Sequence, residues 1–493
     1  MTATGWLLAW LAAGVVFLQG WRIVRVNSRP QLGDAFTYLR TAREMRRQRR
    51  LFPELCFYHT GETERLQLPP LLMAALVPVA EWSYAAVLSV AAAVDLLTAI
   101  LVGGAAHQLF GLEPWRAVLA ALLFLLTPLN ALMTASLTPR GLALLWFTAF
   151  VACMSGYVAG GSAGWMLAAG VAVALALLTQ RMVTQILVLV TPVVAAGFVL
   201  AGQPRYGHLL TALCLGFVLA WAVTGGRYAA VFSDHLRRVL LHARIGQQQR
   251  LRREFGSPVQ VIKANPWLTL LAASLAVAGG AGLPWPPGLE LAAAYAAGML
   301  VLAIVWVMGN SVNHVYFASP MVAWLLAATL PAGGVWLAAA AALGLVAVVI
   351  VWREFGVAVA GHLSTDWLEC FAYIRQHRLQ GRALVVPRVS FPPLVYYTPL
   401  VMVASGHGSK AMSFDRLTIR RQIGDPATLA ALVQELGVRY VLLDRSAGSA
   451  AELAAASELP SRGFRALFDS GTVLLLEAPG AESAALAGVH QPG

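Results

Sequence analysis

The chain reads as a polytopic α-helical membrane protein with a small soluble α/β domain at its C-terminal end. Three observations carry that reading. Hydrophobic residues make up 59% of the 493 positions and charged residues only 12%, with a mean hydropathy of +0.69, far from the profile of a soluble domain. Apolar runs of bilayer length recur from the N-terminus to Trp352. Beyond Trp352 the hydropathy falls, and short β-prone runs alternate with a helical stripe.

The first run, Trp6 to Leu18, has no basic residue before it and no small-residue cleavage pattern after it. It is expected to be a retained anchor and not a secretory signal. Further runs lie near 71–105, 115–133, 139–158, 163–179, 183–202, 207–224, 267–283, 288–308, 316–331 and 334–352. Crossing about 30 Å of hydrocarbon takes roughly 20 residues at 1.5 Å each. Each span must be helical, because a backbone in lipid has to satisfy its own hydrogen bonds. The expectation is about 11 spans. The count depends on two short separators, Val158–Ala163 and Leu330–Gly334.

From about Gly361 the pattern is that of an α/β unit. Ala383–Val386, Tyr440–Leu443 and Thr472–Leu476 are compact β-prone runs. Between the first two, Pro426 to Leu436 carries an apolar stripe at helical spacing and stops at Gly437, a natural C-terminal cap. That order favours a parallel-type sheet packed by helices. The membrane domain is thus placed over 1–360, with amphipathic loops at 21–70 and 225–265, and the soluble domain over 361–493.

Charge is concentrated in those two loops. Trp21 to Arg50 holds nine Arg against Asp34 and Glu44, and Arg227 to Lys263 holds eight basic residues against Asp234 and Glu254. The net charges are +7 and +6, while the whole chain is +12, so the remainder nearly cancels. The basic residues are almost all Arg, with Lys263 and Lys410 the sole lysines. The guanidinium fork suits phosphate oxygens, whereas an ammonium is a point charge. In the first loop Phe36, Leu39 and Ala42 recur at three-residue spacing, with Arg40, Arg43, Arg46 and Arg47 around them. In the second, Tyr228, Val231, Phe232, Leu236, Val239 and Leu240 form a stripe bordered by Arg237, Arg238 and Arg244. Both suit interfacial helices. Six spans separate the loops, which puts them and the soluble domain on one side of the membrane. Positive-inside topology would make that side cytoplasmic. The functional alternative is that both loops roof a cavity for a lipid-linked phosphate on the outer side.

The loop between the first two spans resembles a known family at the level of motifs. It holds Gly33-Asp34-Ala35-Phe36-Thr37-Tyr38-Leu39-Arg40, an Ala42–Met45 stretch, Gly61, and Pro69-Pro70-Leu71 entering the second span. This order resembles the first large loop of GT-C-type polytopic glycosyltransferases. Within that superfamily it is similar to protein mannosyltransferases, aminoarabinose transferases and oligosaccharyltransferase catalytic subunits. The layout, with a long loop before the eighth span and a C-terminal soluble domain, is also similar. A weaker likeness lies in Asn313-His314-Val315-Tyr316 ahead of Pro320.

The resemblance implies an inverting transfer of a sugar from a polyprenyl phosphate or diphosphate carrier to a lipid, glycan or protein acceptor. The expected site is the outer face of a bacterial-type cytoplasmic (inner) membrane. Asp34 occupies the family's acidic position and would act as general base on the acceptor. Arg40, Arg43, Arg237, Arg238, His314 and Tyr316 would contact the carrier phosphate. Glu62 and Glu64, in the same loop, are alternative acids. The bland readings stay open. Asp ahead of an apolar-periodic stretch is a favoured helix N-cap, and His314 and Tyr316 suit interfacial packing equally well. Asp95, inside the second span, is expected to face a cavity or a partner.

Three departures from the family pattern matter. The neighbour of Asp34 is Ala35 and not a second acid, Gln67 and Leu68 precede the Pro-Pro-Leu where a Lys is common, and the later loop at Thr134–Arg140 carries no carboxylate. One carboxylate is a poor site for a hard cation, so no cofactor is expected and a divalent metal is not favoured. The four cysteines, Cys56, Cys153, Cys214 and Cys370, show no metal-ligand spacing, and a Cys56–Cys370 disulfide is one open option. No Walker loop, GxSxG elbow or HExxH pair is present, and the Arg-rich segments lack a nucleic-acid module. The competing function is a non-catalytic transporter or flippase of a lipid-linked or anionic solute, which should show internal repeats and broken helices.

Overall fold

The computed structural model describes residues 2–28, 34–57, 68–82, 84–134, 137–249, 258–280, 285–304, 312–358, 363–388, 391–403, 419, 422–447 and 449–480. Its contacts divide the chain into two compact units. One comprises the described residues of 1–29, 69–72 and 82–360, and the other those of 30–68, 73–81 and 361–493.

The first unit is helical. In chain order it contains α1 (Ala3–Ser28), α4 (Tyr84–Gln108), α5 (Pro114–Leu125), α6 (Pro128–Thr134), α7 (Pro139–Gly160), α8 (Ala163–Thr179), α9 (Arg181–Leu200) and α10 (His208–Val223). These are followed by α11 (Tyr228–Gln249), α12 (Pro258–Ala264), α13 (Trp267–Gly280), α14 (Leu289–Ile304), α15 (Val312–Thr329) and α16 (Gly334–Ala358). The helix α2 (Ala35–Gln48) belongs to the second unit, and the short α3 (Leu71–Leu76) straddles the division. Among the described residues, six segments are long and apolar enough to cross a membrane: α1, α4, α7, α9, α16 and the Pro204–Val223 stretch containing α10. Four shorter apolar helices, α5, α8, α13 and α14, and the 18-residue α15 fall on the remaining expected runs.

Both doubtful separators are real breaks. Gly161 leaves α7 with φ +68, and the Ser162 side chain accepts from the Gly164 amide to cap α8. The 71–105 run is interrupted. A 3-10 turn over Val77–Val79, centred on Pro78, separates α3 from α4, since proline cannot donate to a continuing helix. Likewise Pro128 divides 115–133 into α5 and α6. Small residues bring helices together, as expected where lipid supplies no drive to expel side chains. A Cβ at Gly216 of α10 would collide with Val173 of α8, and one at Gly170 of α8 with Leu215. Phe147 packs edge-on against Tyr295 and Phe317 at 5.6 and 6.1 Å, and Phe150 against Tyr295 at 5.9 Å. The Tyr295 hydroxyl donates to Thr191 at 2.9 Å. Asp95 is buried within α4.

The second unit is an α/β sandwich. Its sheet contains β1 (Arg382–Val386), β2 (Val401–Met402), β3 (Tyr440–Asp444), β4 (Arg465–Asp469) and β5 (Val473–Glu477), in the order β2-β1-β3-β5-β4. The first three strands are parallel, as the strand–helix–strand pattern implies. β5 and β4 add an antiparallel edge that the pattern alone did not indicate. One face packs α19 (Pro426–Glu435) and α20 (Ala450–Ser457) through Leu429, Leu432 and Ala456. The other packs α17 (Thr365–Gln376) and α18 (Pro392–Tyr397) through Phe371, Leu394 and Val395. That second core also includes Phe57, from the first loop, whose carbonyl accepts from the Met402 amide at the sheet edge at 3.0 Å. Cys56 and Cys370 are both free thiols, so the disulfide option does not hold.

Candidate functional site

Asp34 precedes α2 in the second unit. Its backbone is already helical (φ −63, ψ −14), its carbonyl accepts from the Tyr38 amide at 3.1 Å, and its side chain makes no capping hydrogen bond. The residue is exposed. The carboxylate is therefore not the helix cap that its position in the sequence allows.

The helix behind it is fixed from several sides. Phe36 inserts between Tyr396 and Tyr397 of α18, with ring centroids 5.1 and 5.5 Å away. Arg43 is half-buried: its Nε donates to the Ala80 carbonyl at 3.1 Å and lies 3.4 Å from Glu81, and Nη2 donates to the Tyr396 hydroxyl at 3.0 Å. Its guanidinium also lies over the Tyr396 ring, 4.3 Å from the centroid. Burial raises the Tyr396 phenol above the ordinary tyrosine range and pushes Tyr397 up to about 12, so both remain hydrogen-bond donors at neutral pH.

Glu44, almost fully buried, takes Arg40 at 3.2 Å and Arg47 at 2.8 Å. Gln48 then clasps Glu54, donating to its carbonyl at 2.9 Å and accepting from its amide at 2.8 Å. Arg40 also lies 5.5 Å over Phe57, and burial lowers its guanidinium from the ordinary arginine range. Glu44 and Tyr396 organise this arrangement, and sequence reasoning singled out neither. The i,i+4 spacing from Arg40 to Glu44 was a readable signal, but nothing in the sequence linked Arg43 to a residue more than 350 positions away.

The other expected residues belong to the first unit. Arg237 is exposed on α11, and the side chain of Arg238 lies outside the described residues. His314 and Tyr316 are fully buried in α15. α11 is tied down by an ion pair that the sequence did not announce: Asp234 meets Arg181, at the start of α9, at 2.6 Å with both side chains buried. Tyr228 and Val231 are buried, whereas Leu236 and Leu240 are more than half exposed. Glu62 and Glu64 lie outside the described residues. Among the described residues no group of three or more His, Cys, Asp or Glu side chains is arranged to hold a metal ion.

No family model matches the chain, and no curated protein matches it in sequence. Solved structures do. ArnT from Cupriavidus metallidurans bound to undecaprenyl phosphate aligns over 97% of this chain and 99% of its own, with a TM-score of 0.57 at 15% identity. The archaeal oligosaccharyltransferase AglB from Archaeoglobus fulgidus, in complex with an inhibitory peptide and a dolichol-phosphate, aligns over 96% of this chain and 74% of its own, with a TM-score of 0.57 at 12% identity. The mycobacterial arabinofuranosyltransferase AftD aligns over 95% of this chain but 41% of its own, with a TM-score of 0.52 at 15% identity. The chain therefore has the fold of the GT-C membrane glycosyltransferases, from its first helix through its C-terminal sheet.

Proposed function

We propose that this protein is an integral-membrane, inverting glycosyltransferase that takes a sugar from a polyprenyl-phosphate carrier at the outer face of the membrane. The observation that supports this most is the fold likeness to ArnT, which spans nearly all of both chains. The carrier class follows from the lipids named with the neighbours, undecaprenyl phosphate in ArnT and dolichol-phosphate in AglB.

In this reading Asp34 is the general base. Its carboxylate removes the proton from an acceptor hydroxyl, and the acceptor oxygen forms a bond to the anomeric carbon from the face opposite the leaving group. The bond from that carbon to the carrier oxygen breaks, and the electron pair departs with the polyprenyl phosphate. Asp34 suits the role because it is exposed and not engaged in capping α2. A base must reach the proton it removes. The leaving phosphate calls for guanidinium groups, which stabilise charge as it develops. Arg40, on the same helix that follows Asp34, keeps accessible guanidinium surface. Arg43 contributes by holding α2, since its Nε and Nη2 are engaged within its own unit.

The test is transfer by Asp34→Asn, assayed with polyprenyl-phosphate sugars in proteoliposomes. Removal of a general base costs about 10²- to 10⁴-fold in rate, with melting temperature and lipid binding unchanged. Transfer within threefold of wild type would remove Asp34 from the chemistry. Flux of the intact lipid-linked sugar without transfer would favour a flippase.

A further inference from the structure

The second unit carries a feature that the transfer reaction above does not use. β1 and β3 are neighbouring parallel strands, with Val386 paired to Leu443, so their carboxyl ends are level. The chain leaving β1 enters α18 on one face of the sheet, and the chain leaving β3 enters α20 on the opposite face. In open α/β sheets, adjacent strands whose connections part in this way leave a crevice at their carboxyl ends, where ligands bind.

Polar groups converge there. Arg388, two residues beyond β1, places Nε 2.9 Å from Oδ2 of Asp444, the last residue of β3. The Asp444 side chain is 1% exposed, and its Oδ1 accepts from the Ser446 amide at 3.0 Å and the Ser446 hydroxyl at 2.5 Å. The carboxylate is thus held from one side by Ser446 and from the other by the guanidinium. Arg388 itself is 34% exposed, and among the described residues no hydrogen bond engages its Nη1 or Nη2. The next cation, Arg445, is already paired with both oxygens of Asp469 at 2.7 and 3.0 Å. What remains at the switch point is a guanidinium anchored through Nε, with its terminal nitrogens available. A donor-only fork of fixed geometry takes two acceptor oxygens of one anionic group.

We propose that the carboxyl ends of β1 and β3 form a second ligand site, in which Arg388, positioned by Asp444 and Ser446, binds a phosphoryl group. The group comes either from a soluble phosphorylated compound or from a prenyl diphosphate headgroup. The site lies wholly within the second unit and stands whether or not Asp34 is a catalytic base.

The experiment is calorimetric titration of the full-length protein in detergent with inorganic pyrophosphate. Wild type is expected to bind saturably, and Arg388→Gln to bind at least tenfold more weakly. Arg388→Lys keeps a cation beside Asp444 but lacks the fork, so it should lose binding several-fold with an unchanged melting temperature. Arg205→Gln, which removes an exposed arginine from the other unit, should bind as wild type. Competition with a water-soluble prenyl diphosphate identifies the source: displacement assigns a lipid headgroup, and no displacement assigns a soluble phosphate. Absence of saturable binding to wild type, wild-type binding by Arg388→Gln, or loss of binding in Arg205→Gln would overturn the proposal.

Discussion

α2 and α11 share a composition but have different fates. Both are Arg-rich amphipathic helices from the two loops that account for the chain's net positive charge. In α2, nine of fourteen residues are buried, and Arg40, Arg43 and Arg47 each meet an acid or a phenol within their own unit. In α11, Tyr228, Val231 and Asp234 are buried, while Leu236, Arg237 and Leu240 stay exposed. The difference shows that a local charge excess does not by itself make an anion-binding surface. A buried acid one turn away, as Glu44 is from Arg40, fixes a guanidinium in place and leaves only part of it accessible. Where the nearest acid instead faces another helix, as Asp234 faces Arg181, the arginine beyond it is left at the surface.

That contrast can be broken at several points. The largest effect is expected at Asp234→Ala, which takes away the carboxylate that Arg181 meets in a buried setting. Breaking such a pair costs about 3–5 kcal/mol, read as a lowered melting temperature in detergent. A change below about 1 kcal/mol, the range of an exposed pair, would mean that α11 is held by its apolar residues alone. Glu44→Ala should cost about 2 kcal/mol, because the half-buried Arg40 loses a charged partner worth about 1.5–3 kcal/mol and the pair with the mostly exposed Arg47 adds little. Its equivalence to a surface substitution would show that α2 does not depend on its arginine partners.

Tyr396→Phe keeps the ring contacts with Phe36 and Arg43 and removes one hydroxyl. The expected loss is about 1 kcal/mol, with transfer slowed further if α2 shifts. The smallest effect is expected at Leu236→Ser, within about 0.5 kcal/mol in detergent as for other exposed sites. Here the informative readout is spin-label accessibility. A label at position 236 should report oxygen from lipid, and one at 237 a water-soluble relaxant. Equal water exposure at both would remove α11 from the membrane interface.

The membrane helices and the β1-α19-β3 core were legible because hydropathy and periodicity record burial directly, as in the Ala383–Val386 and Tyr440–Leu443 runs. Asp34 could be singled out by motif and position. Its cap role, equally legible, is not the one the structure displays. What could not be read was long-range. Phe57 reads as an ordinary loop residue, yet it completes the core under β2, and neither Arg43–Tyr396 nor Arg181–Asp234 leaves a local spacing to find. The antiparallel β4–β5 hairpin escaped because Arg465–Asp469 is an edge strand, exposed or half-buried throughout, without the apolar run that marks β1, β3 and β5.

The most direct test of the proposed function is native mass spectrometry of the protein incubated with equimolar phospholipid and polyprenyl phosphate. A polyprenyl-phosphate carrier enzyme should retain one polyprenyl phosphate, or a glycosylated form carried through purification, at collision energies that strip phospholipid. Retention of phospholipid alone would contradict the carrier assignment and return the arginine-rich helices to a purely structural role at the membrane surface.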